Sequence, residues 1–128
     1  MYAADQIVAH LVGDFILQSD WMAREKFRSS LACLVHVVFY TLPFLLITQE
    51  PITLGIIAGT HFMIDRWRLP RFLIWAKNLP FPNSKPFSEC WRTGFPPDMP
   101  DHLTKLLYII IDATCHILIN GAAIYYFG

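Results

Sequence analysis

Apolar residues gather in four blocks, at about residues 2–18, 31–48, 52–67 and 103–127, separated by polar or proline-rich connections. Two blocks, LVHVVFYTLPFLLI and LLYIIIDATCHILINGAAIYYF, are apolar on nearly every face and lack the polar stripe that a soluble bundle helix needs. A helix of ~18 residues rises ~27 Å, close to the ~30 Å hydrocarbon layer of a bilayer. The pattern therefore predicts an all-α, polytopic membrane protein: one domain over residues 1–128 with four transmembrane helices. The first span is the least apolar, interrupted by Asp5, Gln6, His10, Asp14 and Gln18, and the third needs Trp67 and some tilt to cross. A soluble four-helix bundle is the rival reading. In the long third connection, LPRFLIWAKNL (69–79) reads as a short interfacial helix and the proline-rich remainder as an irregular flap, the whole segment 68–102 lying on the cytoplasmic side.

Composition supports the apolar reading: 55% of residues are hydrophobic, 16% are charged and the mean hydropathy is +0.40. Ten basic residues balance ten acidic ones, which excludes a uniformly basic nucleic-acid binder. In a four-span hairpin all ten basic residues fall on one side. The positive-inside rule makes that side cytoplasmic and places both termini outside, in a bacterial inner membrane. Met1 to Gln6 lacks the positive start of a secretory signal, so no cleaved segment is expected. Three cysteines with no CxxC pair form no disulfide framework.

Ionisable side chains inside a span cost roughly 2.5–3.5 kcal/mol each, so they usually face one another or a cavity and mark function. Here they recur as His10-x3-Asp14, His61-x3-Asp65 and Asp112-x3-His116, with His36 on the remaining span. Residues four apart share a helix face, so each pair presents an imidazole and a carboxylate together. The order reverses in the last pair, as the direction of its helix does, so every carboxylate lies at the cytoplasmic end of its pair. Four imidazoles and three carboxylates meeting at one depth suit one or two divalent metals, zinc first, with manganese and iron as alternatives. Gly13 and Gly59 would let helix backbones approach closely, and Gln18 continues the His10–Asp14 stripe as an outer hydrogen-bond donor. Cys33 reads as a small buried hydrophobe, and His102 as solvated.

The segments HLVGDFILQSDWMAREK, LVHVVFYTLPFLL, HFMID and DATCH resemble the small bacterial and phage membrane proteins grouped as domain of unknown function 3307. The most specific piece is His10 to Ala23 with Lys26 following. Two positions depart from the family pattern: Ala113 stands where Gln is expected and Arg68 where Lys is expected. The resemblance implies a membrane fold and names no reaction.

The chemistry of these residues predicts an intramembrane metal-dependent hydrolase acting on a lipid or lipid-linked phosphate at the cytoplasmic leaflet. His10, Asp14, His36, His61, Asp65, Asp112 and His116 would hold the metal, whose activated water attacks while Asp14 or Asp65 takes the proton. Lys26, Arg66 and Arg68 would attract the anionic headgroup. Two alternatives remain: a proton or metal-ion transport or sensing module, and a non-catalytic membrane interaction protein with a structural metal. Membrane lipid is the expected partner, nucleic acid is not, and assembly into a homo-oligomer is open.

Overall fold

A computed structural model, described from Ala4 to Gly128, is all-α, with no strand among the described residues. Helix α1 (Ala4–Leu11) runs into one π-helical turn (Val12–Ile16). Helix α2 (Asp20–Glu25) is capped by Ser19, whose Oγ accepts from the Met22 N–H, and α3 (Ser30–Thr41) is capped in the same way by Ser29. Pro43 has no N–H to continue the ladder, and α3 tightens into a 3₁₀ turn (Leu42–Leu46). Helix α4 (Pro51–Trp67) stops where Arg68 turns to φ 51°; Pro70 then opens α5 (Pro70–Asn78). Helices α6 (Phe87–Cys90) and α7 (Asp101–Phe127) follow.

The chain divides into two compact units, the first running to Trp67 and returning for His116–Gly128, the second comprising Arg68–Cys115. The first is built around Ala9, Tyr40, Phe44, Ile57 and Ala123, with Ile47, Leu54 and Ile124 packed against them. Its polarity is inverted. Gln6, His10, Asp14, His36, Thr53, His61, Asp65, His116 and Asn120 are buried, whereas Val8, Phe15, Ile16, Leu31, Leu34, Val38, Leu46 and Ile52 are exposed. Gly13 permits close packing of the π turn on α3, because a Cβ there would lie 2.7 Å from Tyr40 Cδ2. Gly59 does not act in this way, since a Cβ there would meet open space.

In the second unit Ile74, Cys90 and Phe95 are buried, and Phe72 stacks on Phe87 at 5.1 Å. Trp75 Nε1 donates to the Lys85 carbonyl at 3.0 Å, and the Arg71 guanidinium donates to that of Trp91 at 3.0 Å. Gly94 takes φ +85°, and a Cβ would collide with the Arg71 carbonyl, so glycine is required there.

The expectation of four transmembrane helices is overturned. Among the described residues one helix, α7, is long and apolar enough to cross a membrane. Its 27 residues rise about 40 Å, whereas the 17 of α4 rise about 25 Å and the 12 of α3 about 18 Å. The apolar blocks overstated helix length because apolar composition continues through residues where the α ladder does not, notably Leu42–Leu46 and the π turn at Val12–Ile16. Multi-pass insertion and the placing of both termini outside rested on those spans and fall with them.

Candidate metal centre

Each chemically active side chain is set by a local feature of the helices. Asp14 sits in the π turn, where one extra residue per turn re-aims side chains and often marks a functional site. His36 projects from the middle of α3, His61 and Asp65 from adjacent turns of α4, and His116 from α7. Lys26 closes the C-terminal end of α2.

Four donor atoms converge. His36 Nε2 and His61 Nε2 lie 2.9 Å apart. His36 Nε2 is 3.1 Å from Asp14 Oδ1 and 3.2 Å from Asp65 Oδ2. His61 Nε2 is 3.3 Å and 3.1 Å from the same two oxygens. A tetrahedral cation with bonds of ~2.0–2.1 Å to nitrogen and oxygen holds its ligand atoms ~3.3 Å apart, so these separations describe the edges of such a site. All four residues are buried, and their atoms could hold a metal ion. Asp14 Oδ1 and Asp65 Oδ2 accept no aligned hydrogen bond, although Lys26 Nζ approaches Asp65 Oδ2 to 2.9 Å. At 2.9 Å only one of the two facing Nε2 atoms can carry a proton, so a cation fits the donor set better than hydrogen bonding within it.

Burial opposes ionisation of Asp14, but the adjacent imidazoles of His36 and His61 outweigh it and hold the carboxyl well below the usual carboxylate range. Burial acts in the same sense on Asp65, where the charges of His61 and Lys26 hold the carboxyl low. Burial also pulls His36 down, and the carboxylates of Asp14 and Asp65 beside it raise it above its ordinary value. Two buried, ionised carboxylates facing one point require cations between or beside them.

An outer layer holds the far oxygens of both aspartates. His116 Nε2 lies 3.2 Å from Asp65 Oδ1, and His10 Nε2 lies 3.6 Å from Asp14 Oδ2. His10 Nδ1 meets the Tyr40 hydroxyl at 2.7 Å, and Asn120 Nδ2 donates to that hydroxyl at 2.7 Å. The Tyr40 ring stacks on His61 at 3.6 Å, and His61 stacks on His116 at 4.0 Å. Tyr40 and Asn120 escaped the sequence analysis, yet a signal existed: each stands four residues after a cluster histidine, His36 and His116, and extends that face by one turn.

Asp112 lies one turn before His116 on α7, half-buried and within the second unit. Arg66 donates to the Phe27 carbonyl at 2.6 Å and to Ser30 Oγ at 3.2 Å, tying α4 to the residues that precede and open α3. The Arg68 guanidinium lies 5.6 Å from the centroid of the Tyr108 ring. Gln18 follows the π turn, with a buried Oε1 that accepts no hydrogen bond. Cys33 is buried and its thiol donates to the Phe62 carbonyl at 3.6 Å; burial pushes that thiol up to about 11. His102 is exposed.

No curated protein and no solved structure matches the chain. The family model for DUF3307, proteins of unknown function, matches residues 3–127. That range takes in every residue of the cluster, and the chain belongs to the DUF3307 family.

Proposed function

We propose that this chain is a membrane-associated metalloprotein whose first unit closes around a divalent cation held by His36, His61, Asp14 and Asp65, and needs that cation for stability. The observation that carries this reading is the buried set of two nitrogens and two oxygens separated by 2.9–3.3 Å in the pairs His36–His61, His36–Asp14, His36–Asp65, His61–Asp14 and His61–Asp65. Four protein donors complete a tetrahedral shell without an open position, as structural zinc sites do. The same geometry favours zinc over cations that demand six oxygens. Removing the metal with a chelator is expected to lower unfolding free energy by about 4 kcal/mol relative to protein in free zinc at a thousand times its dissociation constant. Thermal melts in zinc and in chelator measure this; identical melts, with no ion retained on purification, would overturn the reading.

A hydrolytic role is the second reading, favoured by Lys26. Its ammonium sits 2.9 Å from Asp65 Oδ2, and Lys26 and Asp14 are the least buried of this group at 8% and 5% exposure, so an anion would approach from their side. A bound divalent ion would supply Lewis acidity there. Lys26 would draw a lipid phosphate, and Asp14 or Asp65 would take a proton from water. Arg66 is committed to Phe27 and Ser30, and Lys26 is the cation that lies beside the cluster. Chelator-sensitive release of phosphate from lipid phosphates separates this reading from a purely structural centre.

Association with lipid is supported by α7. Only 22% of its most apolar window is buried inside the chain, whereas the core helix of a soluble protein is mostly buried. The exposed apolar side chains of the first unit favour the same environment. The chain is expected to float with liposomes through a density gradient and to resist carbonate extraction; release into the carbonate supernatant would contradict membrane insertion.

A further inference from the structure

We propose that the two aspartates bridge to a second divalent cation, bound on their outer oxygens, with His10 and His116 as its nitrogen ligands. The inference rests on the first centre and extends it. Asp14 and Asp65 each turn one oxygen to the His36–His61 pair and the other away from it. On the outer side each far oxygen faces one imidazole: His10 Nε2 is 3.6 Å from Asp14 Oδ2 and His116 Nε2 is 3.2 Å from Asp65 Oδ1. All four residues are buried, with His10 and His116 at 0% and 1% exposure.

The ring spacing is of the size that a shared ion requires. Two imidazoles bound through Nε2 to one tetrahedral ion, with bonds of ~2 Å, have ring centroids roughly 5 Å apart. The His36–His61 pair is at 5.0 Å and the His10–His116 pair at 5.6 Å. The outer pair is the wider of the two. Each ion would take two imidazoles and one oxygen from each of two shared carboxylates, the way dinuclear centres in helical bundles use carboxylates and histidines from facing helices. The phenol of Tyr40, 2.7 Å from His10 Nδ1, fixes the orientation of that ring, as outer-layer partners of ligating histidines do. The competing role for His10 and His116 is to donate hydrogen bonds to the outer oxygens of a mononuclear centre.

Glutamine distinguishes the two roles, because its amide can donate to a carboxylate but is a poor ligand for zinc. The full chain, purified in detergent and stripped of metal, is titrated with zinc chloride and analysed for bound metal. Two zinc ions per chain are expected, falling to one in the double variant His10→Gln/His116→Gln. Manganese(II)-loaded wild-type protein is expected to give an exchange-coupled electron paramagnetic resonance spectrum, a readout that needs no variant to fold. One ion in both wild type and variant, with uncoupled manganese, would overturn the second site while leaving the first centre standing. No bound ion in the wild type would overturn both.

Discussion

Asp65→Asn is expected to unfold much of the first unit or to leave it about 3–5 kcal/mol less stable, the cost of removing one partner of a buried charge pair. Asp65 is 1% exposed and meets Lys26 at 2.9 Å, His61 at 3.1 Å, His36 at 3.2 Å and His116 at 3.2 Å. The amide keeps the shape but removes the negative charge, so Lys26 stays in the interior without its Asp65 counter-ion, and the cation loses a ligand. Chemical denaturation followed by circular dichroism measures the loss, and metal analysis of the same sample should show zinc content falling with it. In the metal-free protein, adding Lys26→Met to Asp65→Asn should recover part of the stability, because the buried ammonium is then removed as well. A loss under about 1 kcal/mol, the range of an exposed ion pair, would mean that Asp65 does not hold this cluster together.

Gly13→Ala should be nearly as damaging, though it touches no charge. The added methyl would stand 2.7 Å from Tyr40 Cδ2, 2.9 Å from the Tyr40 carbonyl oxygen and 3.1 Å from Tyr40 Cα. Two of those atoms are backbone, so relief requires the π turn and α3 to separate. Overpacking of this kind costs about 3 kcal/mol. The π turn bears Asp14 and α3 bears His36, whose atoms are 3.1 Å apart, so the same displacement should weaken metal binding. Gly59→Ala is the control: its Cβ meets nothing, and replacing a mid-helix glycine should raise stability by up to about 1 kcal/mol. Denaturant midpoints of the two variants check the pair, and equal midpoints would contradict the close approach at Gly13.

The difference between these glycines marks where the sequence was legible. Helical spacing places His61 and Asp65 on one face from sequence alone, because a regular helix fixes the relation of residues four apart, whereas His10 and Asp14 are separated by the start of the π turn. It does not state how helices meet. Gly13 and Gly59 look alike in the chain, and only tertiary packing separates one that another backbone touches from one that faces open space. The sorting of the histidines into inner and outer pairs was hidden for the same reason, since it depends on which carboxylate oxygen each helix presents. The helical class followed from the apolar blocks. Helix length did not, because hydrophobicity measures preference for an apolar environment and is blind to the 3₁₀ turn at Leu42–Leu46 and the π turn at Val12–Ile16. Tyr40 was overlooked because a tyrosine in an apolar block reads as interface or core, and its hydroxyl acquires meaning only beside His10 and Asn120.

Zinc K-edge X-ray absorption on the zinc-loaded chain addresses the cation site most directly. A first shell of nitrogen and oxygen at ~2.0–2.1 Å is expected, with the outer-ring scattering of two imidazoles per zinc and no sulfur. A sulfur shell at ~2.3 Å, a six-oxygen shell, or the absence of retained zinc would contradict a centre built by His36, His61, Asp14 and Asp65.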